Sequence, residues 1–273
     1  MRNQRVEEFA APLDIDEVER GLVTKRLGKR VHYFGEIDST NVYAHQLAEE
    51  GAAEGEIVIA EGQTLGKGRM GRKWVSPPYL NLYLSVIIRP ELPPVHAPQI
   101  NLMSAVALAE TVQSFMAFPP DIKWPNDITV RGKKLAGILT ESSCEGDRIR
   151  FMVLGIGVNL NFPRELMPKT IQDSATSIMM VTRRPVDRTA FTCRLIQNLD
   201  RCYGDLEDRG FSLMARRWES FFRLRGKRVR VEMMDEKILG KVLGIDSDGA
   251  LHLEDDQGAI RKIVAGDVIP ADV

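Results

Sequence analysis

At Gly226 the spacing of apolar residues changes period. Ahead of it, residues 187–209 and the stretch "SLMARRWESFFRL" repeat apolar side chains every three or four positions, as amphipathic helices do. Beyond it, "KRVRVEMM", "KILGKVLGID", "ALHLED" and "IRKIVAGDVI" alternate with period two, and the turn sequences "SDG" and "DDQG" separate them. Helix and strand bury different sets of positions, so the switch divides the chain into units 1–225 and 226–273. The second unit has 48 residues of short alternating strands and reads as a small β-barrel appended to a larger domain.

Strand and helix patterns interleave in the first unit. Residues 13–21 read as a short helix closed by Gly21, "RVHYFGEI" as a strand, and "DSTNVYAHQLAEEGA" as a helix. Asp38, Ser39 or Thr40 caps that helix and Gly51 ends it. "EIVIAEGQ" and "NLYLSVIIRP" are strands, the second stopped by Pro90. Residues 98–117 space their apolar side chains helically behind an early Pro. "DIKWPNDITVRGKKLAGILTESS" reads as a strand, a turn at "RGKK" and another strand; "RIRFMVLGIGVNLN" is an apolar strand ending in Gly-rich turn chemistry.

Composition narrows the function. Lys and Arg number 37 against 38 Asp and Glu, a net charge of -1, where a broad nucleic-acid surface usually brings a basic excess. Cys144, Cys193 and Cys202 form no CxxC pair, and His32, His45, His96 and His252 show no H-x-x-x-H spacing, so no metal site is expected. Phe221, Phe222, Met233 and Met234 read as core or domain interface. The N-terminal "MRNQRVEEFAAP" lacks an apolar signal core, and no apolar run approaches the roughly 20 residues that span a bilayer. A cytoplasmic protein is expected.

Against that neutral balance, "GKGRMGRKW" packs four cations and three glycines ahead of Trp74. Glycines let successive backbone N–H groups approach an anion, and Arg69 and Arg72 add charge in a fork that suits carboxylate or phosphate. Trp74 offers a flat face to a ring. No G-K-[ST] closes the stretch, so it is not a Walker A loop; by composition alone it also reads as a solvated basic turn. "KWPNDI" sets Lys123, Trp124 and Asn126 around a rigid Pro125, and "KKLAGIL" puts Lys134 at the mouth of a strand. "GIGVNLN" brings glycines and Asn159 to a strand end, where a tight structural turn explains them as well as a ligand does. The residues alone lead to a nucleotide or acid-anion site.

"DSTN", "GQTLGKGRMGRKWVSP", "NLYLSV", "KWPNDI", "KKLAGIL" and "GIGVNLN", in this order, resemble the biotin–protein ligases, and the resemblance runs over residues 30–273. It implies an α+β catalytic domain with a mixed, mainly antiparallel sheet like that of class II aminoacyl-tRNA synthetases, followed by an SH3-like barrel. It implies ATP and biotin as substrates, Mg2+ carried on the ATP phosphates, biotinyl-5′-AMP as intermediate, and a biotin carboxyl carrier domain as acceptor. Ser39, Thr40 and Asn41 would then meet the biotin head group, and Gln63, Lys67, Gly68 and Arg69 biotin and its carboxylate. Arg69 and Arg72 would hold phosphates, Trp74 the adenine side, and Asn126 and Asn159 the nucleotide. Lys134 would sit at the carboxylate–phosphate junction as a catalytic residue with Arg69, and Gly137 and Leu139 would line the biotin pocket.

Lys67 stands where the family commonly has arginine, which keeps charge and loses bidentate geometry. Only 37 residues precede Asp38, fewer than the roughly 60 of a winged-helix domain, so DNA binding is not expected. A homodimer through an exposed sheet edge is a further expectation. The rival readings are a lipoate–protein ligase and a nucleic-acid-binding module without catalysis.

Overall fold

The structure is a computed structural model and describes residues 10–233 and 236–271. The first nine residues, Met234, Asp235 and the last two positions lie outside it, and with them most of the N-terminal stretch read for a signal core.

The first unit centres on a seven-stranded sheet in the order β1-β2-β3-β7-β6-β5-β4. These strands are β1 Arg30–Ile37, β2 Glu56–Gln63, β3 Leu82–Ile88, β4 Asp121–Lys123, β5 Asp127–Val130, β6 Lys133–Glu145 and β7 Arg148–Val158. Only β1 and β2 run parallel; the other neighbours are antiparallel. Two parallel neighbours need a crossover, and helix α2 (Thr40–Glu49) supplies it, after α1 (Ile15–Gly21) with its Asp14 cap. Helices α3 (Ala97–Ser114), α5 (Arg188–Arg209) and α6 (Phe211–Phe221) follow, with the short α4 (Ile178–Thr182) between β7 and α5.

Alternation along the central strands assigns their side chains to two cores. Ile57, Ile59, Leu84, Val86, Leu154 and Ile156 face α3, α5 and α6 in the large core. Val58, Ile87, Phe151 and Val153 face the other way, onto Ala44 and Ala48 of α2. Helix α2 has only ten residues and covers only part of that second face. Further along the same rows stand Ser85 and Tyr83 on β3, Gly155 and Gly157 on β7, and Gly137 and Leu139 on β6. The functional cleft lies on this part of the face, at the N-terminus of α2.

The second unit is a five-stranded antiparallel sheet, β11-β10-β9-β8-β12. Its strands are β8 Arg228–Glu232, β9 Lys237–Ile245, β10 Leu251–Glu254, β11 Ile260–Ile263 and β12 Asp267–Pro270. Among the described residues no ladder joins β11 to β12. Its inward side chains, including Val231, Val242, Leu251 and Val268, belong to the same large core as the first unit. Trp124 Nε1 donates to Gly249 O at 3.2 Å, and Gln99 Nε2 to Ser247 O at 2.7 Å.

Four local expectations change. The strand read through "DIKWPNDITV" is a hairpin: Trp124, Pro125 and Asn126 turn it, so Ile122 pairs with Ile128. "IRKIVAGDVI" likewise divides into β11 and β12. Ser39 occupies the N-cap of α2, but its hydroxyl makes no capping bond. Gly155 and Gly157 lie inside β7, not in a turn, and neither has a positive φ.

Candidate active site

Every residue to which the resemblance assigns a role lines one cleft, whereas Lys123 and Trp124 of "KWPNDI" do not: Trp124 is buried in the large core. Its walls are the N-terminus of α2, the hairpin 66–74, the edge of β5 and the segment 171–175; its floor is β6 and β7.

Glycine makes the floor possible. Gly137 and Gly157 are direct partners in the β6–β7 ladder. The Trp74 indole lies across both, so close that a Cβ on Gly157 would stand 2.5 Å from Nε1 and one on Gly137 3.3 Å from Cζ3. At Gly155 a Cβ would overlap the Asn41 amide. Each missing side chain therefore makes room for one arriving from the opposite wall.

The basic stretch is an ordered hairpin. Lys67 bridges Lys73, Gly68 N donates to Arg72 O at 2.7 Å, and Trp74 N to Gly66 O at 2.8 Å. Both residues at the tip have positive φ, Met70 at 56° and Gly71 at 72°; glycine adopts that region freely, and Met70 holds it despite its side chain. The turn aims Arg69 into the cleft, where Nη1 donates to Asn126 Oδ1 at 3.0 Å. Asn126 Nδ2 in turn donates to Ile138 O at 2.7 Å, which ties the "WPN" turn to the floor.

Five cations, Lys67, Arg69, Arg72, Lys73 and Lys134, share the lining with two carboxylates, Asp127 and Asp267. Lys134 Nζ lies 2.7 Å from Asp127 and 5.5 Å from the centre of the Trp74 ring. Arg72 pairs with Asp267 of β12 at 2.5 Å. Burial alone would raise the Asp267 carboxyl; the hydrogen bond and charge of Arg72, with Arg69 and Lys123 behind, outweigh it and hold the group below the usual carboxylate range. Among the described residues neither Lys67 nor Arg69 has a carboxylate within ion-pair distance. That leaves uncompensated positive charge facing the cleft beside the N-terminal dipole of α2.

At the α2 end, Gln63 Oε1 accepts from Thr40 N at 2.9 Å, and Gln63 Nε2 donates to Ser76 Oγ at 3.0 Å. The buried Ser39 hydroxyl and the Trp74 indole nitrogen have no partner among the described residues. Ser39 lines the cleft, so a bound ligand can reach the hydroxyl that lacks a partner. Asn159 lines the far end and donates to Thr176 O at 3.1 Å.

Four further residues line the cleft, Asp127, Gly155, Gly157 and Asp267. Asp127 lies within "KWPNDI" without being singled out there, and the two glycines of "GIGVNLN" fit a turn as well as a ligand site. Asp267 carried no local signal, because its partner Arg72 is 195 residues away.

Comparison with known proteins places this geometry. The profile of the Biotin/lipoate A/B protein ligase family matches residues 33–159, and that of the Biotin protein ligase C terminal domain matches residues 225–269. The biotin–[acetyl-CoA-carboxylase] ligase of Mycobacterium tuberculosis is 32% identical over 269 residues, covering 94% of this chain and 96% of that one. The chain belongs to the biotin/lipoate A/B protein ligase family. Another relative of the family, the bifunctional ligase/repressor BirA of Bacillus subtilis, is 37% identical over 256 residues, 94% of this chain and 78% of that one. The biotin protein ligase of Aquifex aeolicus, solved in complex with biotin and ATP, superposes with a TM-score of 0.76 at 28% identity, over 88% of this chain and 97% of that chain. The mixed sheet with a C-terminal β-sheet unit is thus the fold of the family.

Proposed function

We propose that this ligase activates biotin with ATP to biotinyl-5′-AMP and passes the biotinyl group to a lysine of a biotin carboxyl carrier domain. One observation carries the reading: five cations against two carboxylates converge on a glycine floor beside an orphaned head-group wall. Activation requires a carboxylate to attack an α-phosphate, and both are anions. At about 4 Å two unit charges repel by about 4 kcal/mol at an effective dielectric near 20. Arg69 and Lys67, which have no carboxylate partner among the described residues, offset that repulsion.

The resemblance assigns the roles, and the shared cleft supports them. Ser39, Thr40 and Asn41 receive the head group, with Gln63 behind them, and Gly137 and Leu139 bound its ring. Lys67, Gly68 and Arg69 meet the biotin carboxylate. Lys134 leaves Asp127 for the junction of carboxylate and phosphate and stabilises the charge that develops there. Arg69 and Arg72 hold phosphates, the second after release from Asp267; Trp74, Asn126 and Asn159 bound the nucleotide. Magnesium enters as MgATP, as part of the substrate.

Residues 1–225 form the catalytic unit and 226–273 the C-terminal one. No DNA partner belongs to this reading, a homodimer through an exposed sheet edge is compatible with it, and the work is done in the cytoplasm. No helix among the described residues is long and apolar enough to cross a membrane.

Incubation with MgATP and biotin, then with an apo carrier domain, tests the reading by mass spectrometry. Bound biotinyl-adenylate followed by a biotin adduct on one carrier lysine is expected. Adduct formation with lipoate alone would overturn the substrate, and a specific operator gel shift would overturn the DNA part.

A further inference from the structure

We propose that Asn126 is a positioning residue for Arg69: its side-chain oxygen orients the guanidinium in the cleft while leaving the positive charge unneutralised. The inference rests on the reading of Arg69 as a group that offsets the repulsion between carboxylate and phosphate. It says how Asn126 serves the nucleotide end of the cleft, which is through Arg69.

The mount is fixed before Arg69 enters the account. Asn126 Nδ2 donates to Ile138 O at 2.7 Å, and Asn126 O accepts from Ile138 N at 2.9 Å. A backbone carbonyl can only accept, so the amide cannot turn over, and Asn126 Oδ1 must face away from that contact. There it accepts from Arg69 Nη1 at 3.0 Å. A guanidinium can only donate, so both ends of the amide agree on one orientation. From behind, Asn101 Nδ2 of α3 donates to Pro125 O at 2.6 Å and steadies the same turn. Asn126 is 8% exposed, and its bonds to β6 do not involve Arg69. Arg69, in contrast, depends on Asn126. It is half-buried beside the positive-φ tip of the hairpin. Among the described residues its side chain has no other hydrogen-bond partner and no carboxylate within ion-pair distance.

Two other cations of the cleft are held differently. Lys134 lies 2.7 Å from Asp127, and Arg72 pairs with Asp267. Each of those contacts sets a full negative charge against the positive one, and an anionic ligand must compete with it. Asp267 feels the charge of Arg69 as well, but its short contact goes to Arg72. A carboxamide carries no net charge. It holds the plane and direction of the Arg69 fork and leaves the charge for the reacting anions. A charge already oriented needs no rearrangement when the transition state forms. The consecutive residues Asn126 and Asp127 thus hold two cations, one at full charge and one neutralised.

Arg69→Ala should lower biotin-dependent pyrophosphate exchange about 100-fold, and Asn126→Ala about 10- to 100-fold. Because Asn126 acts through Arg69, the double variant should fall no more than about twofold below Arg69→Ala. A direct bond from Asn126 to the nucleotide would instead multiply the two losses. Guanidinium ion in millimolar amounts supplies the missing fork. It should raise exchange by Arg69→Ala at least about tenfold, and ammonium at the same concentration should not, because it lacks the planar geometry. Without the mount the ion has no seat, so the double variant should gain less than about twofold. A merely structural role for Asn126 would not make this rescue depend on it.

Losses that multiply, no preference for guanidinium over ammonium, or equal rescue of the single and double variants would overturn the inference. A wild-type enzyme with no biotin-dependent exchange would instead overturn the reading of the site beneath it. Asn126→Ala takes a partner from the buried Ile138 O, so its melting curve is recorded first. Should it not fold, Arg69→Ala with Asn126 in place decides the matter by NMR. Guanidinium should then shift the side-chain amide resonances of Asn126, and unmoved resonances would sink the proposal.

Discussion

Lys134 shows how a single side chain can matter little for the fold and much for the chemistry. Its side chain is 37% exposed and its ammonium pairs with Asp127 at the cleft edge, a situation in which an ion pair contributes about 1 kcal/mol or less to stability. Backbone bonds from Lys134 N to Ser174 O and from Thr176 N to Lys134 O hold the strand whatever the side chain. Lys134→Ala should therefore melt within about 2 °C of the wild type while pyrophosphate exchange falls about 100- to 1,000-fold, the usual loss for one group that stabilises transition-state charge. Near-normal exchange would remove Lys134 from its role. Neighbouring Asp127 illustrates what reading by residue type leaves out: an acid in a basic motif acquires meaning only once its partner's distance is known.

Among the elements, the hairpin 66–74 and strand β12 are joined by the Arg72–Asp267 pair. A carboxyl held below its ordinary pKa adds stability that is complete above the unfolded value near 3.9 and disappears as pH falls through the lower folded value. Asp267→Asn should thus lower the melting temperature by about 2–4 °C at pH 7, and the two curves should converge once the pH has fallen through the lowered folded value of the carboxyl. A gap that persists at lower pH would mean the pair is not its source. At this scale the sequence was legible where periodicity is unambiguous: β2, β3 and α5 fall where the alternating and helical patterns put them. It was less legible at "WPN", where an apolar run long enough for one strand is folded back by a three-residue turn. The glycines of β7 misled because Gly marks both turns and close approach, and only the position of Trp74 tells which.

For the whole molecule, the proposed boundary at 225 divides the chain without dividing its core. Side chains of β8, β9, β10 and β12 join the cluster built by α3, α5 and α6, and Trp124, 2% exposed, completes its hydrogen bond on Gly249. A Cβ on Gly249 would come within 2.9 Å of Leu102 of α3, so the two units meet at backbone contact. Residues 1–225 alone should then melt at least 10 °C below the full chain, or without a cooperative transition, by calorimetry. Independent melting at the full-length temperature would show that the second unit is a passenger. The sequence announced two units through their periods; it could not announce a common interior, which depends on contacts between positions more than a hundred residues apart.

No residue is smaller than glycine, so the surface on which Trp74 rests cannot be excavated further by mutation. Breeding this enzyme to accept a bulkier acid therefore has to start at Leu139, and libraries spent on positions 137, 155 and 157 can only fill the cavity in.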